Sequence, residues 1–137
     1  MNFAQKQQGE WGFLAGVIEA ARGSIHVSGR SIAVTLRPMP HLRRFLGPWM
    51  RNMGLDYSEA DAKRSPYWVK VLGKSACRAL TMSFPYLLSE RRRREARCAL
   101  RWFRTIQRPG VRLDGEARLE RRRIACELAG LHAGAGA

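Results

Sequence analysis

The sequence predicts an α+β domain in which helices cover an antiparallel sheet. Three observations carry that expectation. Residues 11–25 read as a helix running directly into a strand. Residues 25–36 alternate apolar and polar side chains, the period-two signature of half-buried strands. Residues 55–59 and 66–72 form a second hairpin, with helical spacing before and after it. At 137 residues the chain is one domain with room for a real core.

Residues 1–9 are polar and are expected to be disordered. In the helix that follows, Gly12, Gly16 and Ala20 recur every four residues and so share one stripe. Phe13, Val17 and Ala21 lie beside them, and Leu14 and Ile18 complete an apolar flank. A glycine inside a helix costs about 1 kcal/mol against alanine. What a stripe of small residues offers in return is close approach of a second helix. The plain alternative is an amphipathic helix with incidental glycines. Gly23 is placed to end the helix.

Ile25, Val27, Ile32, Val34 and Leu36 take one face of the first hairpin, with Ser28-Gly29-Arg30-Ser31 as a tight turn. His26, Ser28, Ala33, Thr35 and Arg37 take the other. A solvated outer face needs such residues, but basic strands are also groove readers. Pro40 suits the first turn of a helix over residues 41–53, Pro48 should kink or break it, and Gly54 should cap it. In the second hairpin Tyr67, Val69 and Val71 are expected in the core. Trp68 and Lys70 share the outer face, and the loop carries Lys63 and Arg64. A short helix over residues 76–84 ends at Pro85.

The next stretch, P-Y-L-L-S-E-R-R-R-R-E-A-R-C-A-L-R-W-F-R, has an apolar side of Leu88, Ala96, Ala99, Leu100 and Phe103. Around it stand Arg91, Arg92, Arg93, Arg94, Arg97, Arg101, Arg104 and Arg108, against Glu90 and Glu95. That imbalance departs from a merely soluble helix and reads as a phosphate-facing one. Pro109-Gly110 is a break. Asp114 is placed to cap a last helix over residues 115–131, with Ile124, Leu128 and Leu131 on one side. Residues 132–137 read as a flexible tail.

The formal charge is +14, from 25 basic and 11 acidic residues, with a pI near 11.3. Such a surface attracts polyanions, nucleic acid first and an anionic membrane second. No run of 18 apolar residues exists, so no membrane span is expected, and the N-terminus lacks the apolar core of a signal peptide. Cys77, Cys98 and Cys126 form no CxxC or Cys/His pair, which argues against structural zinc. Buried free thiols imply a reducing compartment, a bacterial-type cytoplasm or else an organelle. Only Lys6, Lys63, Lys70 and Lys74 are lysines, leaving 21 arginines, whose planar fork suits phosphate and guanine. A GC-rich genome would produce the same bias.

L-A-G-V-I-E, Leu14 to Glu19, followed by Gly23-Ser24-Ile25, resembles the motif of the LAGLIDADG homing endonucleases. The order helix, hairpin, helix, hairpin, helix is similar to that family's αββαββα core, and P-Y-L-L-S-E-R-R-R-R resembles the stretch after its fourth strand. The resemblance covers roughly residues 10–108. It implies a saddle-shaped antiparallel sheet lying in the DNA major groove. It also implies a homodimer paired through the motif helix, with Gly12, Gly16 and Ala20 at the interface, because the chain has one motif copy. Residues 109–131 become an extra C-terminal helix that the family pattern does not account for.

The resemblance also implies a metal-binding acid at the eighth motif position. Counted from Leu14 that position is Ala21; counted back from Gly23 it is Arg22. Neither is an acid, and Arg22 repels a cation. Glu19 at the sixth position is the remaining catalytic candidate, and a weak one. The family's basic position after P-Y-L-L-S is Glu90, with Arg91 next to it. No competing chemistry stands out: Ser24 and Ser75 have no nearby His and acid, and His26, His41 and His132 are scattered.

The leading expectation is a nucleic-acid-binding protein on this scaffold, catalytically weak or inactive, holding duplex DNA or structured RNA and needing no cofactor. Candidate contacts are Arg22, His26, Ser28, Arg30, Thr35, Arg37, Lys63, Arg64, Trp68, Lys70, Arg91, Arg92, Arg93, Arg94 and Arg97. One alternative is an active intron-type homing endonuclease using Mg²⁺, with Glu19 as a ligand. Another is an RNA-binding maturase-like splicing factor or ribonucleoprotein component. Strand contacts favour DNA; backbone contacts from the arginine helix favour A-form RNA, whose major groove strands cannot read.

Overall fold

A computed structural model describes residues 3–20, 24–60, 67–106 and 115–135. Helix α1 (Phe3–Ala20) leads to strands β1 (Ser24–Ser28) and β2 (Ser31–Leu36). A 3-10 turn at Pro40–Leu42 opens α2 (Arg43–Asn52). Strands β3 (Tyr57–Glu59) and β4 (Val69–Leu72) run into α3 (Gly73–Ser83). A second 3-10 turn, Phe84–Tyr86, precedes α4 (Glu90–Ile106), and α5 (Gly115–Ala135) follows. This is the expected αββαββα order with further helices after it.

The two hairpins join into one four-stranded antiparallel sheet, in the order β1-β2-β4-β3. Ser28 pairs with Ser31 across a two-residue turn, and Gly29 takes φ +50, which a tight hairpin demands of its first central residue. Alternation then decides which side each residue takes. Ile25, Ile32, Val34, Leu36, Val69 and Val71 are buried under the helices, together with Leu14, Ile18, Leu46, Met50, Leu80 and Ala99. Tyr67, expected in the core, is buried there and donates its hydroxyl to Glu59 at 2.6 Å.

Several expectations change. The first helix begins at Phe3, inside the segment expected to be disordered, since nothing before it breaks a helix. Ala21, Arg22 and Gly23, expected at its C-terminal end, lie outside the described residues. Pro48 does not end α2, which continues to Asn52. Beside it Gly47 admits the Tyr57 ring, where an added Cβ would lie 3.1 Å from the hydroxyl. The second hairpin is shorter than expected, and Lys63 and Arg64 lie outside the described residues. Leu88, assigned to the apolar side of the arginine helix, is 85% exposed and precedes that helix.

The last helix is not an appendage. It runs through His132 to Ala135, beyond the expected start of a flexible tail, and lies along α4 with Ile124 and Leu128 buried. Arg101 donates to Glu120 at 2.6 and 3.0 Å, and Arg121 donates to Thr105 at 2.8 Å. Cys98 is buried at this seam, and burial together with Glu127 pushes its thiol up to about 11, which makes it inert. Of the other cysteines Cys77 is half-buried and Cys126 exposed, so burial is not general.

Candidate nucleic-acid interface

The outer face of the sheet is laid out by register. One row runs Ser24, Thr35, Lys70, Ser58 across all four strands. The next runs His26, Ala33, Leu72, and Ser28 and Ser31 close the hairpin tip. Arg37 and Trp68 extend the face at its other end, and Arg30 projects from the turn. The expected contacts His26, Ser28, Arg37, Trp68 and Lys70 are therefore brought together. Lys70 Nζ lies 5.3 Å from the Trp68 ring centroid, so the aromatic positions the ammonium.

Thr35 is the exception. It is only 8% exposed, because on a central strand it is flanked by Ser24 and Lys70, and little of it remains for a ligand. His26 contributes no fixed charge either. It keeps much solvent contact and bonds to Ser24, yet its pKa is lowered by desolvation first, then by His132, Lys70 and Arg37, against Glu95. It presents a neutral ring to the face at neutral pH.

Glu19 has a structural partner. Its Oε1 accepts the backbone N–H groups of Leu88 at 3.0 Å and Ser89 at 2.9 Å. Ser89 in turn caps α4, its Oγ accepting the Arg92 amide at 3.1 Å. The only carboxylate left in the motif thus ties the end of α1 to the start of α4. Divalent metal needs several oxygen ligands converging on one point. Glu19 brings one carboxylate already holding two amides, and no group of three His, Cys, Asp or Glu residues converges among the described residues. Among the described residues of one chain, Glu19 by itself does not make a metal centre.

The arginine helix divides. Arg92 and Glu95 are buried, and Glu95, 0% exposed, accepts from Arg91 and Arg92 at 3.1 Å each. His132 of α5 lies 3.9 Å from the same carboxylate and donates its Nε2–H to the Ile25 carbonyl at 3.1 Å. Arg92 is therefore a core residue and not a phosphate contact; its charge is consumed by Glu95. Arg93 pairs with Glu90 at 3.5 Å. Arg94, Arg97 and Arg104 stay exposed, with Arg97 over the Phe84 ring. They point away from the sheet, because α4 packs its Ala96, Ala99 and Phe103 side into the core beneath β1 and β2. The sheet residues and the arginine ridge are two surfaces, not one.

The stripe on α1 divides too. Gly12 faces Tyr86 of the same chain, whose ring lies 3.9 Å from where a Cβ would sit. Gly16 and Ala20 are exposed, and an added Cβ at Gly16 meets nothing within 4 Å. No described helix is long and apolar enough to cross a membrane.

The helices, the sheet order and the outer face together define a LAGLIDADG-type α+β fold. The chain matches no known family model and no curated protein. Among solved structures it is similar to the homing endonuclease I-CvuI in complex with its target (Sro1.3) in the presence of 2 mM Ca. The TM-score is 0.69 at 19% identity, covering 95% of this chain and 85% of that one. It is equally similar, at TM-score 0.69 and 18% identity, to I-CvuI with the I-CreI target (C1221) in 2 mM Mg, where the DNA is not cleaved. The match spans 95% of the chain, so most of α5, which the motif pattern left unexplained, falls within the shared fold.

Proposed function

We propose that the chain binds duplex DNA across the outer face of its sheet, as a homodimer joined through α1, without metal-dependent cleavage. The observation that carries this reading is the outer face itself. It is a sheet surface of hydrogen-bonding and basic side chains, in register on all four strands, on a chain of formal charge +14. Strands of this kind fit a B-form major groove. The similarity to structures of I-CvuI in complex with DNA targets supports duplex DNA as the partner. The position that carries an acid in the resembling motif is Ala21 or Arg22 by the two ways of counting, neither of them a Mg²⁺ ligand, and Glu19 is committed to the Leu88 and Ser89 amides.

Binding and cleavage are separated by one titration. Purified protein is expected to retain duplex DNA with or without Mg²⁺ and to leave plasmid DNA supercoiled in Mg²⁺ or Mn²⁺. Glu19→Gln keeps an acceptor oxygen for the Leu88 and Ser89 amides, so it should fold. Nicking by the wild type that disappears in Glu19→Gln would establish the active endonuclease instead.

Salt dependence locates the surface. On duplex DNA the log–log slope of affinity against salt is about −0.9 per phosphate neutralised. Replacing Arg30, Arg37 and Lys70 by alanine should make that slope shallower by about one for each phosphate no longer neutralised. Replacing Arg94, Arg97 and Arg104 should leave it unchanged, since they face away from the sheet. The reverse outcome would favour the RNA-binding alternative, in which an exposed arginine ridge without acidic partners among the described residues tracks an A-form backbone.

A further inference from the structure

We infer that Leu72 reads the 5-methyl group of a thymine in the bound duplex; this rests on the duplex-binding reading above. Leu72 is 49% exposed, a large apolar side chain on a face otherwise made of Ser, Thr, His, Ala, Trp, Lys and Arg. Core packing does not account for it, because alternation sends Val69 and Val71 inward and Leu72 outward. With Asp56, Tyr57, Ser58 and Lys70 it lines a depression of about 190 Å³ at the β3–β4 side of the face. Its partner across β2 is Ala33, which is small and leaves the apolar row open to a base edge.

The chemistry of this depression matches one base pair. In the major groove a T·A pair displays the thymine methyl beside the O4 acceptor, and adenine adds an N6 donor. The depression offers an apolar wall in Leu72, with Asp56, Ser58 and the Lys70 stem around it. A G·C pair has no methyl to fill the apolar side. Uracil has none either, and the A-form major groove is too narrow to admit the strand, so the same depression selects DNA over RNA.

The test deletes only the methyl. Duplexes preferred by the full-length protein are selected from a random library, and each thymine is then exchanged singly for deoxyuridine. Removing one buried methyl is expected to weaken binding about four-fold at one thymine in each half-site. Leu72→Ala should bind the thymine and deoxyuridine duplexes equally at that position, with the other positions unchanged. Leu72 is half-exposed, so the variant should keep the wild-type melting temperature, and a thermal melt checks this. Selected duplexes without a methyl-sensitive thymine, or a deoxyuridine penalty that persists in Leu72→Ala, would overturn the assignment while leaving DNA binding intact. Failure to retain any duplex at low salt would overturn the DNA-binding reading, and this assignment with it.

Discussion

A Gly16→Leu chain is expected to fold normally and to remain monomeric where the wild type sediments as a dimer. The isolated chain has room for the change: Gly16 is exposed, and an added Cβ meets no heavy atom within 4 Å. Leucine is also the better helix former, by somewhat under 1 kcal/mol, so the melting temperature should hold or rise slightly. At a close crossing of two α1 helices the same side chain has nowhere to go. Interaxial distances of about 8 Å are reached only when the contact residues are small. Gly12 is a poorer probe because Tyr86 of its own chain already covers it, so substitution there mixes folding with assembly. A sedimentation-velocity experiment decides the matter. A dimer that persists in Gly16→Leu places the interface elsewhere, and a wild type that is monomeric at high concentration removes the homodimer altogether.

The second large effect is on stability. Glu95→Ala should destabilise the fold by about 3–5 kcal/mol, as breaking one partner of a buried ion pair does. Arg92 is buried beside Glu95, and its guanidinium would lose the carboxylate that offsets its desolvation. Arg91 is more exposed and can turn to water. At a few degrees per kcal/mol for a domain of this size, the melting temperature should fall by about 10 °C or more. Removing both charges together, as Arg92→Met with Glu95→Leu, should recover most of that loss. Hydrogen exchange should quicken in α5 near His132, whose ring lies beside Glu95 and against the Ile25 carbonyl. A loss below about 1 kcal/mol in denaturant unfolding of Glu95→Ala would mean that the pair is not desolvated in solution.

The parts of this protein legible in the sequence are those set by local period. Ile25 to Val27 and Ile32 to Leu36 each alternate about a Ser28–Ser31 turn, so the first hairpin, its buried face and, apart from Thr35, its outer face could be read from them. Tyr67, Val69 and Val71 were legible for the same reason. So was the stripe on α1, because a 3.6-residue turn places Gly12, Gly16 and Ala20 together whatever surrounds them.

What only the tertiary structure decided is which residues at the border of a face are covered, and by whom. Glu19 meets backbone amides about 70 residues away, at Leu88 and Ser89, and no local spacing announces that partner. Arg91 to Arg94 look alike in sequence. Yet Arg92 lies next to the Ala96–Ala99 side of α4 and is buried with Glu95, while Arg94 stays in water. Thr35 has the parity of an exposed residue and is enclosed by neighbours on both flanking strands. In a linear sequence the arginine ridge and the basic strands stand side by side as candidate contacts, and packing sets α4 beneath the sheet, away from the outer side of those strands. The physical reason is common to these cases. Period determines the direction in which a side chain leaves its own helix or strand, but whether it meets water, a carboxylate or a second element depends on contacts made across the fold.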